Sequence, residues 1–308
     1  MLFALGGRHM DVRGPDQEAP LSPTHLAHID VWLLGLLVVF TAAAVAGYAT
    51  FGRHPEMVAS VRGAARWYGV SLQLFPIAQV WLAFAVMAAY MTRRIGLAWL
   101  VAFVVLYGVS LSSELLGTGY GVPFGPYSYA PLLGAEWLGR VPVVIPLSWF
   151  TMSVSSYAIA RQRLGAASRS SRWGGILIAS LLLLCWDLSL DPAMSHATTY
   201  WVWGAHGPYY GMPWSNLLGW YITGLVLSSL LMALDADRWL RRLPVKWFVG
   251  FYAANLVLSI GMSAAAGLWM AVAVTAIAVA GVAIVLSVAG RAAVPQRASF
   301  AVGEALIR

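Results

Sequence analysis

The chain has 308 residues, of which 60% are hydrophobic and only 10% charged, against about 25% charged in an ordinary soluble domain. Its net charge of +7 sits on basic residues at the ends of apolar runs, which suits anionic lipid headgroups and excludes nucleic acid as the natural partner. A single cysteine, Cys185, excludes an internal disulfide framework and any CxxC metal or redox pair.

The uncharged runs approach or exceed about 20 residues, the length that crosses a hydrocarbon core. The expected fold class is therefore all-α, a polytopic integral membrane protein; a membrane barrel would show short alternating segments instead. Residues 1–28 read as a flexible tail, and the apolar stretch Leu2–Leu5 is too short for the core of a cleavable signal peptide. A single transmembrane domain follows over 29–291, with a C-terminal tail at 292–308. Eight spans are predicted, at 31–51, 70–91, 95–116, 142–160, 174–191, 215–234, 246–266 and 268–290. Residues 247–290 carry no charge, too long a run for one crossing, and the region from Gly261 to Gly267 is the natural place for a tight reversal. No internal repeat is evident.

Basic residues set the orientation. The N-tail, the 93–94 pair, the groups 161–172 and 238–246 and the C-terminal segment together hold all but Arg53, Arg62, Arg66 and Arg140 of the 19 Lys and Arg residues. Both termini are thus expected on the cytoplasmic side of the inner membrane. The 52–69 segment, with three of those four exceptions, fits this arrangement least well. The two longest charge-poor loops, 117–141 and 192–214, then emerge together on the opposite face. Loops of that length are functional or disordered, and these are too aromatic for disorder, so they read as lids over a shared pocket.

The first of the two lid stretches begins at Glu114, which ends the third span in the run Glu114-Leu-Leu-Gly-Thr-Gly-Tyr-Gly-Val-Pro-Phe-Gly-Pro-Tyr-Ser-Tyr129. Its glycines do not form a nucleotide loop, because a membrane helix and not a strand precedes them. The Thr118–Gly121 run likewise lacks the pore helix of a potassium filter. Glycines here allow tight turns beside a flat ligand, and Pro123, Pro126 and Pro131 stiffen the loop.

The second stretch, Leu181 to Trp220, organises the whole chain. Its helix carries Asp187 and Asp191 four residues apart and hence on one face, and Pro192 is expected to stop it. An acid inside a bilayer costs roughly 2.5–3.5 kcal/mol on insertion scales, so each is a functional suspect. Structural alternatives stay open: Asp191 as a cap for the following turn, Asp187 as a helix–helix hydrogen bond, Glu114 as an interfacial acid facing water. After Pro192 the loop is dense in Tyr200, Trp201, Trp203, Tyr209, Tyr210 and Trp214, with His196 nearby and Asn216 opening the next helix. Interfacial belts account for part of this density. Ring faces that stabilise a cation by about 0.5–2 kcal/mol each account for the rest.

Other chemistries are poorly served. Two histidines near this stretch, His196 and His206, are too few for a histidine-rich di-iron oxygenase. The one lysine, Lys246, sits at a helix border, unsuited to a retinal Schiff base. Asp235-Ala-Asp237 is an isolated DxD on the cytoplasmic side, a weak diphosphate signal. No Ser/His/Asp arrangement follows from spacing.

With these residues laid out, the sequence resembles the membrane carotenoid 1′,2′-hydratase family. The likeness is carried by the Glu114–Tyr127 run, by Pro142-Val-Val-Ile-Pro-Leu-Ser-Trp149, by Trp186-Asp-Leu-Ser-Leu-Asp-Pro192 and by Gly211-Met-Pro-Trp-Ser-Asn-Leu-Leu-Gly-Trp220. It covers about 70 to 260. The resemblance implies addition of water to the terminal double bond of an acyclic ψ-end carotenoid such as γ-carotene or lycopene, giving a 1′-hydroxyl without a redox cofactor. Its partners would be the carotenoid within the bilayer, membrane lipids and other enzymes of carotenoid synthesis.

That chemistry suits the residues already singled out. Protonating the alkene leaves a tertiary cation, which needs a neutral acid as donor, a form that burial favours, and electron-rich faces around it. Asp187, the deeper acid, is expected to donate the proton, with Asp191 and Glu114 holding that proton and positioning water. Trp186, Trp149, Tyr127, Trp201 and Trp203 are the expected cation-facing rings, with Asn216 orienting water. Tyr120, Phe124, Tyr209 and His196 complete the expected substrate contacts. Two rivals remain: a membrane carotene cyclase, whose acidic Pro-x-Glu-Glu/Asp pattern is absent from the spans, and a non-catalytic carotenoid- or lipid-binding or transport protein.

Overall fold

The computed structural model describes residues 23–60, 62–165 and 169–305. The expected N-terminal tail lies outside them as far as residue 22. Among the described residues eight helices are of 20 residues or more: α1 (Pro23–Gly47), α3 (Ala64–Ile95), α4 (Leu100–Tyr120), α5 (Val144–Leu164), α6 (Arg169–Asp191), α7 (Trp214–Ala233), α9 (Val245–Ala265) and α10 (Trp269–Ala305). Short helices α2 (Pro55–Ala59) and α8 (Ala236–Leu240) lie between them. Seven of the long helices are apolar enough to cross a membrane, and the chain is an all-α polytopic membrane protein. The helix of α10 runs on to Ala305, through most of the segment expected as a tail.

The eighth long helix, α5, is more polar, and six of the others surround it. It packs on α3, α4, α6, α7, α9 and α10, and 16 of its 21 residues are buried. Ser153, Ser155, Ser156, Ala158 and Ala160 line it, and small side chains let helix backbones approach closely where lipid provides no hydrophobic drive. At α6–α7 the approach is closer still: a Cβ added at Gly224 would lie 3.1 Å from the Ser180 Cα. That contact brings the end of α6 and the start of α7 together at one membrane face.

The expected reversal falls at Gly267, which takes φ +77° and donates its N–H to Ala264. Gly261 instead stays within α9, packed against Val45. At the far end of the bundle Asp30 of α1 accepts from Arg93 and Arg94 of α3.

Pro192 does not stop its helix. The chain continues as a π-helical turn, Pro192–Ala197. Proline lacks the N–H that would bond the carbonyl four residues back, here Leu188, and the Tyr209 hydroxyl serves that carbonyl at 2.7 Å. Pro76, inside α3, frees Leu72 in the same way, and Tyr200 supplies that hydroxyl at 2.7 Å. Both tyrosines come from the 192–214 loop, so two carbonyls opened by proline anchor it. In hydrocarbon an unpaired carbonyl is expensive, which gives both bonds weight.

The two long loops are joined. Strand β1 (Tyr127–Tyr129) pairs antiparallel with β4 (Trp201–Trp203), Tyr127 opposite Trp203 and Tyr129 opposite Trp201. A smaller ribbon of β2 (Glu136–Trp137) and β3 (Val141–Pro142) leads into α5.

Candidate active site

Three buried acids lie beneath the β1–β4 ribbon. Asp187 is fully buried, Asp191 is 2% exposed and Glu114 4%. The last turns of α6 present both aspartates to the first turn of α7, where the Asn216 side-chain amide donates to Asp191 and, at 3.2 Å, to Asp187 Oδ2. Asn216 thus bridges the two carboxyls. Asp187 Oδ1 and the adjacent Trp186 Nε1 have no partner among the described residues. The Asp191 side chain makes no capping bond to the turn that follows, which removes the structural alternative for that residue.

Glu114 is held differently. Trp149 Nε1 of α5 donates to its Oε1 at 2.7 Å. Tyr129 donates to Oε2 at 2.8 Å, and Tyr127 donates to the same oxygen. Burial first, and then the charge of Glu114, push both phenols well above their ordinary range, so each remains a neutral donor. Glu114 is near enough to act electrostatically on both aspartates. All side chains bonded to the three acids (Tyr, Trp and Asn) are neutral.

Rings fill the space around the acids. Trp149 stacks on Trp220 of α7 at 4.1 Å, and Trp220 meets Trp186 edge-on at 5.8 Å. Tyr127 touches Trp203 and Tyr129 at 5.5 Å each, and Tyr129 lies 6.0 Å from Trp201. Phe124, 2% exposed, sits 6.1 Å from Tyr127 and 6.2 Å from Trp149. Gly117 is what lets that cluster close on α4, because a Cβ there would fall 2.8 Å from Phe124 and 2.9 Å from Tyr127. The glycine expected to lie against a ligand lies against protein rings.

A family model for carotenoid biosynthesis proteins matches residues 75–282, a stretch that contains all three acids and both paired loops. The chain belongs to that family. It is also 34% identical over 148 residues to the bisanhydrobacterioruberin hydratase of Haloarcula japonica, a match covering 47% of each protein; the chain thus spans about half the length of that curated relative. No solved structure matches it.

Within this carotenoid biosynthesis protein the expected site residues divide clearly. Asp187, Asp191, Glu114, Trp186, Trp149, Phe124, Tyr127, Trp201, Trp203 and Asn216 come together. Tyr120 does not: six residues beyond Glu114 it sits about 120° around α4 and is 81% exposed. His196 is exposed on the π-helical turn, its ring 5.4 Å from Tyr210. Tyr209 is buried, but its hydroxyl is committed to Leu188. Sequence reasoning missed Tyr129, Trp220 and Met212, whose sulfur lies 2.9 Å from Asn216 Nδ2. Tyr129 was findable, because residues two apart on a strand share a face and Tyr127 was already a candidate. The DxD pair serves packing: Asp237 accepts from Arg161 Nε at 3.1 Å and from Tyr157 at 3.2 Å, while Asp235 faces out.

Proposed function

We propose that the chain is a carotenoid 1′,2′-hydratase acting on the terminal ψ-end double bond of an acyclic or monocyclic carotenoid. The observation that carries the reading is the carboxyl pair itself. One Asn216 amide bridges the two carboxyls, and Asp187 Oδ1 is a buried oxygen with no hydrogen-bond partner among the described residues. Family membership and the partial likeness to a hydratase support the same assignment.

In this reading Asp187 gives its proton to the less substituted carbon of the terminal alkene. The tertiary cation forms between Trp149, Trp186 and the ribbon tyrosines, whose π faces favour positive charge. Glu114, its oxygens engaged by three donors, keeps negative charge near that cation. Water adds to the cation, and the proton it sheds returns to the aspartate pair, so the net change is alkene plus water to tertiary alcohol. Asn216 holds the pair in register, and the free Trp186 N–H is placed to hold the incoming water. In this reading the reaction lies on the face opposite the basic loops, with both termini cytoplasmic.

The test is expression in carotene-producing cells followed by mass analysis of the pigments. Wild type should add 18 mass units per hydrated end and Asp187→Asn should add none. An isomeric product of unchanged mass would mean cyclisation, and normal hydration by Asp187→Asn would remove that residue from the mechanism.

A further inference from the structure

The 52–69 segment fits the pattern of basic residues least well. Arg53, Arg62 and Arg66 are all exposed, and none of them has an ion pair among the described residues. Glu56, the one acid of the segment, is engaged by His54 at 2.9 Å. Helix α3 starts on the face where α4 and α6 end, so these uncompensated arginines share the face of the buried acids.

Arg62 lines a cavity of about 620 Å³. Its walls are the end of α1 with the π-helical turn Tyr48–Gly52, α2, the first half of α3 and part of α9. Phe51, Trp67 and Phe75 line it and are exposed, so it opens on the outer surface of the bundle, where lipid lies. Along α3 the lining runs from Ala64 to Gln79, about 22 Å at 1.5 Å per residue. One leaflet with its headgroups is about 20–22 Å deep, whereas a chain crossing the whole hydrocarbon core needs about 30 Å. The cavity has the depth of a single leaflet.

Polarity is confined to its outer end. Arg62 precedes α3 and Tyr68 lies on the second turn. Gly52 leaves room for the Tyr68 hydroxyl, because a Cβ there would lie 2.9 Å from it. The Tyr48 and Ser71 hydroxyls are engaged by the Ala197 carbonyl at 3.2 Å and the Tyr68 carbonyl at 2.7 Å, which leaves Arg62 and Tyr68 to meet a ligand. Deeper in, the walls are apolar, and Gln79 closes the inner end by donating to Thr41 at 2.9 Å.

We propose that this cavity holds one anionic phospholipid, its phosphate at Arg62 and Tyr68 and an acyl chain along α3. A guanidinium meets phosphate with two parallel N–H donors, and anionic headgroups attract each nearby arginine. The lipid supplies the counter-charge that the protein withholds from the 52–69 segment. It also supports the aromatic loop, since Tyr200 and Leu72, whose carbonyl the Tyr200 hydroxyl takes, both line the cavity. Nothing in the proposal depends on chemistry at the aspartates.

The test is native mass spectrometry of purified full-length protein titrated in detergent with phosphatidylglycerol or phosphatidylcholine. Wild type should bind one phosphatidylglycerol at least tenfold more tightly than phosphatidylcholine. Arg62→Gln should cut that preference about fivefold, and adding Arg53→Gln and Arg66→Gln should erase it. Gly47→Leu should lose both lipids: Gly47 lines the cavity and a Cβ there meets nothing within 4 Å, so the side chain fills space the acyl chain needs. In phosphatidylcholine nanodiscs, added phosphatidylglycerol should raise the melting temperature of wild type and not of Gly47→Leu, and inorganic phosphate should stabilise neither. Equal binding of the two lipids by wild type, an undiminished preference in the triple variant, or wild-type binding by Gly47→Leu would each overturn the proposal. Stabilisation by inorganic phosphate, or one-for-one displacement of the lipid by a carotene, would overturn it as well.

Discussion

The Tyr200 hydroxyl meets the Leu72 carbonyl at 2.7 Å, and that carbonyl is open because Pro76 stands four residues further along α3. Proline and tyrosine, 124 positions apart in the sequence, thus form a single unit that ties the aromatic loop to a transmembrane helix. Tyr209 and Pro192 repeat the arrangement around Leu188.

This relationship makes a reciprocal prediction. Tyr200→Phe should destabilise the protein by about 1–3 kcal/mol, the range for leaving a buried acceptor unpaired. Pro76→Ala restores an N–H to Leu72, so the double variant should lose less than Tyr200→Phe alone. Thermal unfolding in detergent reads both; strictly additive losses would mean that tyrosine and proline do not share the carbonyl.

Glu114→Gln should remove hydration and also loosen the site. An amide turns one of its acceptor oxygens into a donor that faces a tyrosine or tryptophan donor. Product formation should fall by roughly 100-fold or more, the scale for losing electrostatic stabilisation of a transition state. Pigment mass analysis beside a thermal melt separates the two effects.

Tyr129→Phe offers a milder probe. It removes one of three donors to Glu114 while keeping the ring against Trp201. Turnover should drop about tenfold or more, as for a hydrogen bond to a charged group, with pigment binding unchanged. A parallel loss of binding would instead make the tyrosine a packing element.

Acid stability should report on Asp237. Burial alone would raise its carboxyl, but the hydrogen bonds and charge of Arg161 outweigh that and hold it below the usual range. A depressed folded value stabilises above the unfolded pKa of about 3.9 and is lost as pH falls through the folded value. At neutral pH Asp237→Asn should cost about 3–5 kcal/mol, because it strands the buried Arg161. Melts from pH 7 down to pH 3 should show wild type approaching the variant only at the acidic end.

Much of the architecture was readable before any coordinates. Seven of the eight predicted spans coincide with helices apolar enough to cross a membrane, because uninterrupted apolar length is a strong local signal; the eighth, 142–160, is a long helix too polar to count among them. Asp187, Asp191 and Glu114 stood out for the same reason, as acids where acids are expensive. The π-helical turn after Pro192 was not readable: a proline's effect depends on whether another group takes the carbonyl it frees, and Tyr209 is 17 residues away. Tyr120 misled because composition marks an aromatic-rich loop without saying which way each ring points. Trp220 lies in a motif that carries the resemblance, but only the packed structure shows that it stacks on Trp149.

The pairing of β1 with β4 has a kinetic consequence. Ribbon hydrogen bonds join segments from two distant parts of the chain, so neither flap swings alone; a breach on one side drags the other with it. In the hydratase reading, solvent and substrate share that opening event, and a cystine stitched across Ser128 and Val202 should throttle turnover.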